Sequence, residues 1–569
     1  MKLNKNINSN QAAVKSPALV KSKNSAVTAL LVAAIFCTML TGCQKGDLLD
    51  NPNAASSSTV VPASLILNRI TNEFYLGGGV LDGEPGAYNE GPWNQVMRWN
   101  QYFVSNYPYY WGSNTYNWTV SATEYDMVKY VSLLQAQVQK QYGSTPNPYS
   151  ALSKFFQAYS FIWLTQRVGD IPMSQAVNSA YTQPKYDLQH DVYKNCLALL
   201  DTANTLMGAI TTSGTATKVV DATGDIFGLT YLQWQKVINT YKLRVLISLS
   251  KRASDNADLN IPQQFAAIIA NPTQYPIMTA NADNLAQHYL SSPSANNYPL
   301  FPNYTPYIGY ESMCNTFLNI TTSTQDPRTF IAASPAVSQI NAGVPYSSFA
   351  AYVGADIGQS YTSLTTNVNN YSANNYLRYY GTAAGPNVSG STCEPYIIIG
   401  YPEMCFNIAE AANLGWIPGG GSSWYTAGIK ASMSWLGLSD GATVQVGLPT
   451  PANFSAVLGN VTVSVSNFLN NSAVVYAGDN AAGRTQILTQ KYVAFWQNSG
   501  WEAYYNWRRT GVPAFSQGGP NIGTPSLKIP LRWQYPVSEQ TRNATNYKSA
   551  ISSQYGGSDD ITQPMWLIK

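Results

Sequence analysis

Charge is scarce in this chain, since Asp, Glu, Lys and Arg make up 11% of its 569 residues where soluble proteins average about 25%. Histidine is scarcer, and only His190 and His288 are available as imidazole bases. His190 falls in a predicted helix, where an exposed position is a better reading than a catalytic one. There is no Gly-x-Ser-x-Gly elbow, no phosphate-binding Gly-x-x-x-x-Gly-Lys and no His-Glu-x-x-His pair, which argues against several enzyme classes. A glycosidase needs only two carboxylates about 5–9 Å apart, so a tethered glycosidase stays open as a minor alternative.

Cysteine is also sparse and widely spaced. Cys196, Cys314, Cys393 and Cys405 contain no Cys-x-x-Cys pair, which speaks against a zinc site. Buried free cysteines in helices are favoured over one or two disulfides, and no cofactor or metal is expected. The apolar run Ala26 to Leu40 is shorter than the ~20 residues that span a membrane. It follows Lys2, Lys5, Lys15, Lys21 and Lys23 with no acidic residue before it, and ends in Leu40-Thr41-Gly42-Cys43. Basic, apolar and small-residue regions in that order mark an exported protein, and the cysteine matches a bacterial lipobox. Residues 1–42 read as a lipoprotein signal peptide, Cys43 as the acylated first residue, and 43–58 as an extended tether.

Removing the five leader lysines from 32 basic residues leaves 27 against 29 acidic ones. A near-neutral chain without a Lys/Arg run speaks against a nucleic-acid partner.

What the chain does have is aromatic and amide polarity, with 40 Tyr and 14 Trp. Rings offer apolar faces and amides offer donors and acceptors, which suits neutral, hydroxyl-rich ligands; adaptation to an extracellular setting explains the composition equally well. Apolar residues recur at helical spacing in Leu152, Phe155, Phe156, Tyr159 and Trp163, in Leu188, Val192, Cys196 and Leu199, and in Val237, Tyr241, Val245 and Leu249. These predict amphipathic helices. Further helices are expected near 121–141, 402–414, 424–436 and 484–498, the first with Ser121 and Glu124 as a capping box. Polar, aromatic-rich insertions are expected at about 72–119, 271–311, 335–400 and 511–530, with a short strand at Tyr396 to Ile399. No linker divides residues 59–569, so one domain is expected.

Four motifs then resemble a known family. Arg167-Val168-Gly169-Asp170-Ile171-Pro172-Met173-Ser174-Gln175-Ala176 looks like a turn in which Gln175 replaces the usual Glu. Tyr401-Pro402-Glu403-Met404 through Ile408-Ala409-Glu410-Ala411 is similar to a helix of the same family. Gly500 to Tyr504 with Asn506 to Pro513, and Ile529 to Pro536 with Glu539 and Asn543, complete the set. In this order behind a lipobox, they resemble the SusD/RagB outer-membrane nutrient-binding lipoproteins of Bacteroidetes. The resemblance implies a mainly α fold, with TPR-like helix pairs in a right-handed superhelical scaffold, long loop-rich insertions and a few short strands. It also implies a SusC-like TonB-dependent outer-membrane barrel as partner, over which the lipoprotein acts as a hinged lid on the extracellular side. The motif residues themselves are expected to be structural.

Ligand candidates come from two aromatic patches. Residues 88–118 hold eleven aromatics in 31 positions, about three times the chain's 12%. Trp93, Trp99, Tyr102, Trp111 and Trp118 offer ring faces, while Asn94, Asn100, Gln101 and Asn106 can take hydroxyls. The second patch places Tyr298, Phe301, Tyr304, Tyr307 and Tyr310 three residues apart among prolines. A polyproline-II turn has three residues, so these rings form one stripe. Tyr304, Tyr307 and Tyr310 are either a ligand platform or, the favoured reading, a strap docking a loop. An oligosaccharide is the expected ligand and a peptide the alternative. A pure helical-repeat scaffold, binding a partner but no small ligand, is the third reading.

Overall fold

Helical periodicity gives helical structure wherever it is strong. In the computed structural model, which describes residues 59–76, 91–106, 116, 125–221, 224–292, 297–299, 311–379, 393–448, 456–520 and 528–569, helix α1 (Ala63–Leu76) packs on α2 (Tyr125–Tyr142). Helix α2 pairs with α3 (Pro148–Val168), α3 with α4 (Gln189–Ile210), and α4 with α5 (Tyr231–Ser248). A second group pairs α6 (Tyr401–Asn413) with α7 (Gly421–Trp435) and α8 (Ala481–Ala494), and α6 also packs on α5. Residues 61–569 form one compact unit. The fold is mainly α, built from TPR-like helix pairs.

Local sequence explains where these helices begin. Asn147 accepts from the Ser150 amide at 2.9 Å and Pro148 occupies the first turn of α3, where a missing N–H costs nothing. Thr230 and Gln233 form a capping box on α5. Helix α3 is buried on nearly all sides, including Leu152, Phe155, Phe156 and Phe161, as befits a helix with neighbours on several faces.

Several boundaries and positions differ from expectation. The predicted 121–141 helix is described from Tyr125, so the Ser121/Glu124 capping box lies outside the described residues. Leu188 is 57% exposed at the N-cap of α4, because the stripe that enters the core starts at Val192. The 484–498 helix starts earlier and stops at Ala494, since Gln497 and Ser499 take positive φ. The 72–119 stretch is not simply a loop: α1 runs into it, and it contains a short helix at Gln95–Trp99 and strand β1 (Phe103–Ser105). Among the described residues, Cys196, Cys314, Cys393 and Cys405 are all free. Cys196 and Cys405 are buried in helices as expected, whereas Cys314 caps the helix Asn315–Ser323 and Cys393 is half-buried outside any helix. His190 is held between Asp191 at 2.8 Å and Asp258 at 3.2 Å, so it is clamped and half-buried rather than freely exposed.

Strands are few and short. Strand β2 (Leu285–Gln287) pairs with β4 (Tyr396–Ile399), β1 with β3 (Glu311–Met313), and β5 (Thr443–Leu448) with β6 (Ala456–Thr462), each pair antiparallel.

The motif residues lock these elements together. Gly169 has φ 101°, and a Cβ there would lie 2.2 Å from Gln554 Oε1 and 2.4 Å from Tyr555 Oη; no other residue fits. On helix α9 (Glu502–Thr510), Arg508 donates to the Gln166 carbonyl at 2.6 Å and the Leu531 carbonyl at 3.0 Å. Arg509 forks onto Glu410 at 2.5 and 3.0 Å, and Arg532 reaches Asp559 at 2.6 Å. These arginines act as cross-braces between distant segments.

Candidate functional site

Chain segments far apart in sequence meet in a small, irregular platform. Strand β1 registers Phe103 with Met313 and Ser105 with Glu311. The Ala355 amide donates to the Met313 carbonyl at 2.8 Å, the Met313 amide to Ser372 at 2.7 Å, and Ser372 back to Val353 at 2.7 Å. Thr365 Oγ1 donates to the Asn106 carbonyl at 2.9 Å. Backbone pairing therefore gathers the 91–106, 311–316 and 353–375 segments.

Gln101 is the hub. It is fully buried with φ 58°, a conformation non-glycine residues seldom take. Its Oε1 accepts from Thr316 Oγ1 at 2.6 Å and the Ser516 amide at 2.8 Å. Its Nε2 donates to Tyr116 Oη at 3.1 Å and the Ser516 carbonyl at 2.9 Å. One amide thus uses its full bonding capacity to tie four segments. Trp93, Gln101, Cys393, Gln497 and Ser499 are five of the eight non-glycine residues with positive φ among the described residues. Gln497 Oε1 accepts from the Trp93 amide at 2.7 Å, and the Ser499 amide donates to Ile397 at 2.8 Å, so most of this backbone strain concentrates in and beside the platform. Strain of this kind clusters at functional sites.

The platform divides the predicted ligand residues. Trp93 is 1% exposed, donates from Nε1 to Tyr298 Oη at 2.5 Å, and packs on Phe103, Tyr379 and Trp496; with its ring covered, it is structural. Asn100 is fully buried, donating to the Gly500 carbonyl at 2.8 Å and accepting from the Tyr504 amide at 3.1 Å. Tyr102 is equally buried, stacked on Tyr492 at 4.8 Å with its hydroxyl on the Tyr492 carbonyl. Gln101 and Asn106 are buried as well. All five are supports rather than ligand contacts, because none presents a surface.

Two candidates keep exposed area. Trp99 is half-buried, stacks on Trp501 at 5.4 Å and 22°, and lies 6.5 Å from Tyr116. Asn94 is half-buried at the N-cap of Gln95–Trp99 and makes no side-chain cap bond. Trp111, Trp118, Tyr304, Tyr307 and Tyr310 lie outside the described residues. Tyr298, the first ring of the second patch, is buried against Trp93 and Tyr289, so the two patches touch at their bases.

Sequence reading missed the second layer beneath Trp99. Trp501 packs edge-on to Trp533 at 4.8 Å, and the Arg167 guanidinium lies 3.2 Å from the Trp163 ring centre and 5.1 Å from that of Trp533. The crevice among Tyr159, Trp163, Arg244, Trp501, Glu502 and Tyr505 measures about 20 Å³, room for a water and not for a sugar. A saccharide on this platform has to rest on its outer face and not in this crevice.

Glu311 on β3 is the electrostatic exception in this neutral region. Neither carboxylate oxygen has a hydrogen-bond partner, and Arg98 Nε is 3.9 Å away. Burial pushes its pKa up to about 8, with Arg98 pulling the other way.

The family model described as "Starch-binding associating with outer membrane", SusD-like, matches residues 81–536. The chain belongs to the SusD-like family. Two solved SusD homologues from Bacteroides fragilis resemble it: one at 26% identity and TM-score 0.72, covering 90% of this chain and 100% of that one, the other at 27% and 0.69, covering 90% and 99%. A chitin-binding SusD homologue from Flavobacterium johnsoniae shares the fold at 20% identity and TM-score 0.62, covering 89% and 97%. No curated protein matches. SusD-like proteins are binding proteins associated with the outer membrane, and among the described residues no helix is long and apolar enough to cross one.

Proposed function

We propose that this SusD-like protein captures a neutral oligosaccharide outside the cell and passes it to a SusC-like TonB-dependent barrel, acting as the barrel's hinged lid. The observation that carries this reading is the platform, on which the half-buried Trp99 is stacked over Trp501 beside the bases of both aromatic patches. A sugar ring presents a face of C–H bonds to such an indole, and by analogy with aromatic pairs each stack adds ~1 kcal/mol. Several contacts are therefore needed for useful affinity, and Asn94, Trp111, Trp118, Tyr304, Tyr307 and Tyr310 are the proposed further contributors. The family's starch-binding description supports a glycan, as does the scarcity of charge.

Residues 1–42 are the proposed leader, Cys43 the acylated anchor and 43–58 the tether. Several acyl chains hold a protein at a membrane durably where one does not. Cys43→Ala is expected to move the protein from the membrane fraction to the soluble fraction with ligand binding intact; retention in the membrane would contradict the anchor. For the ligand, a glycan array run beside a peptide library decides. Binding to glycans without turnover supports the proposal, and binding to peptides alone replaces it with a peptide-uptake lid.

A further inference from the structure

Away from the platform, the scaffold contains a cleft of about 430 Å³, lined by the 3-10 turn Ser250–Arg252, the end of α6 and the first turns of α8 with the end of α9. Its charged residues are Lys251, Arg484, Arg509 and Glu410, an unusual concentration for a chain with 11% charge. Glu410 is already engaged by Arg509 through two bonds. Arg484 makes no such fork: its Nε donates to Asn413 Oδ1 at 2.9 Å, and its charge adds to those of Arg509 and Lys491 in favouring the ionised Glu410. Lys251 is exposed, donates only to the Ile568 carbonyl at 3.0 Å, and has no ion pair among the described residues. Partial desolvation at the cleft wall lowers its pKa first, and the neighbouring Arg252 and Arg509 add to that shift.

The cleft walls also carry the Thr485 and Thr510 hydroxyls and the apolar faces of Leu414 and Leu488. A guanidinium fork with unused N–H groups matches a carboxylate in two-point geometry. Hydroxyls and leucines beside it suit a hydroxylated ring. The volume is in the range of small-ligand sites. Arg484 is eight residues from Tyr492, which stacks in the platform, so the two sites are separated by roughly 12 Å along α8.

We propose that this cleft is a second binding site, specific for a carboxylate-bearing sugar, in which Arg484 and Lys251 hold the carboxylate. Such a site would let a protein whose main face selects neutral rings also retain acidic units of a mixed polymer.

Calorimetric titration of the intact protein with galacturonate, galactose and sulfate at fixed ionic strength tests it. Galacturonate is expected to bind at least tenfold more tightly than galactose or sulfate. Arg484→Gln should reduce galacturonate affinity about tenfold or more, and Lys251→Gln, at an exposed position that leaves folding intact, should weaken it severalfold. No measurable binding of galacturonate, equal binding of galactose or sulfate, or full affinity in the Lys251→Gln and Arg484→Gln variants would each overturn the assignment. Trp99→Ala should not alter this binding, which separates the cleft from the platform.

Discussion

The helix-paired scaffold and the platform are held by different chemistries. In the scaffold, apolar stripes do most of the packing and charges are buried in pairs: Arg509 with Glu410, Arg328 with Asp326 at 2.6 Å, Arg244 with Glu403 at 2.7 Å through Nε. In the platform the ties are backbone amides, hydroxyls and one fully bonded glutamine, the chain is strained at several points, and its one buried acid has no hydrogen bond. The scaffold is arranged for rigidity. The platform is arranged to hold unlike segments in fixed relative positions beneath a surface.

Breaking one member of a scaffold pair should have the largest effect. Arg509→Ala leaves Glu410 buried with Lys491 at 4.0 Å as its remaining ion-pair partner, so the loss should fall near the lower end of the ~3–5 kcal/mol that an uncompensated buried charge costs; urea unfolding should show a drop of that size. Gln101→Leu is expected to come next, costing about 1–3 kcal/mol for stranded buried partners and weakening glycan binding, because the segment bearing Trp99 loses its tie to Ser516. If Gln101→Leu destabilises the protein but leaves glycan affinity intact, the platform does not position the ligand surface.

The acid at position 311 gives a pH-dependent contrast. An acid whose pKa rises from an ordinary 4.5 to about 8 on folding binds its proton more tightly in the folded state. Its contribution to stability is therefore greatest below pH 4.5 and is lost as pH rises through 8. Thermal unfolding between pH 5 and 8 should show stability falling less steeply in Glu311→Gln than in the unmodified protein. An unchanged slope would mean that the carboxyl is solvated.

Much of the scaffold was legible because its signal is periodic. Leu152, Phe155 and Phe156, and Val237, Tyr241 and Val245, are all buried as their spacing predicts, and the arginines in the motifs proved to be braces. The platform was not legible in the same way. Aromatic density pointed to the correct stretch, but a tryptophan that binds and one that fills a core are the same letter: Trp93 and Trp99 are six residues apart, and only one retains exposed area. Left-handed turns at Trp93 and Gln101 decide which rings turn inward, and neither Trp nor Gln announces such a turn. The layer under Trp99 comes from Trp501, some 400 residues away, so only tertiary contact reveals it.

The smallest expected change in stability accompanies the most informative change in function. Calorimetry of Trp99→Ala against a glycan that the unmodified protein binds should show affinity reduced about fivefold or more, near the ~1 kcal/mol of one aromatic stack, with the unfolding transition nearly unmoved. Unchanged affinity in a folded Trp99→Ala protein would contradict the claim that the platform presents the ligand surface.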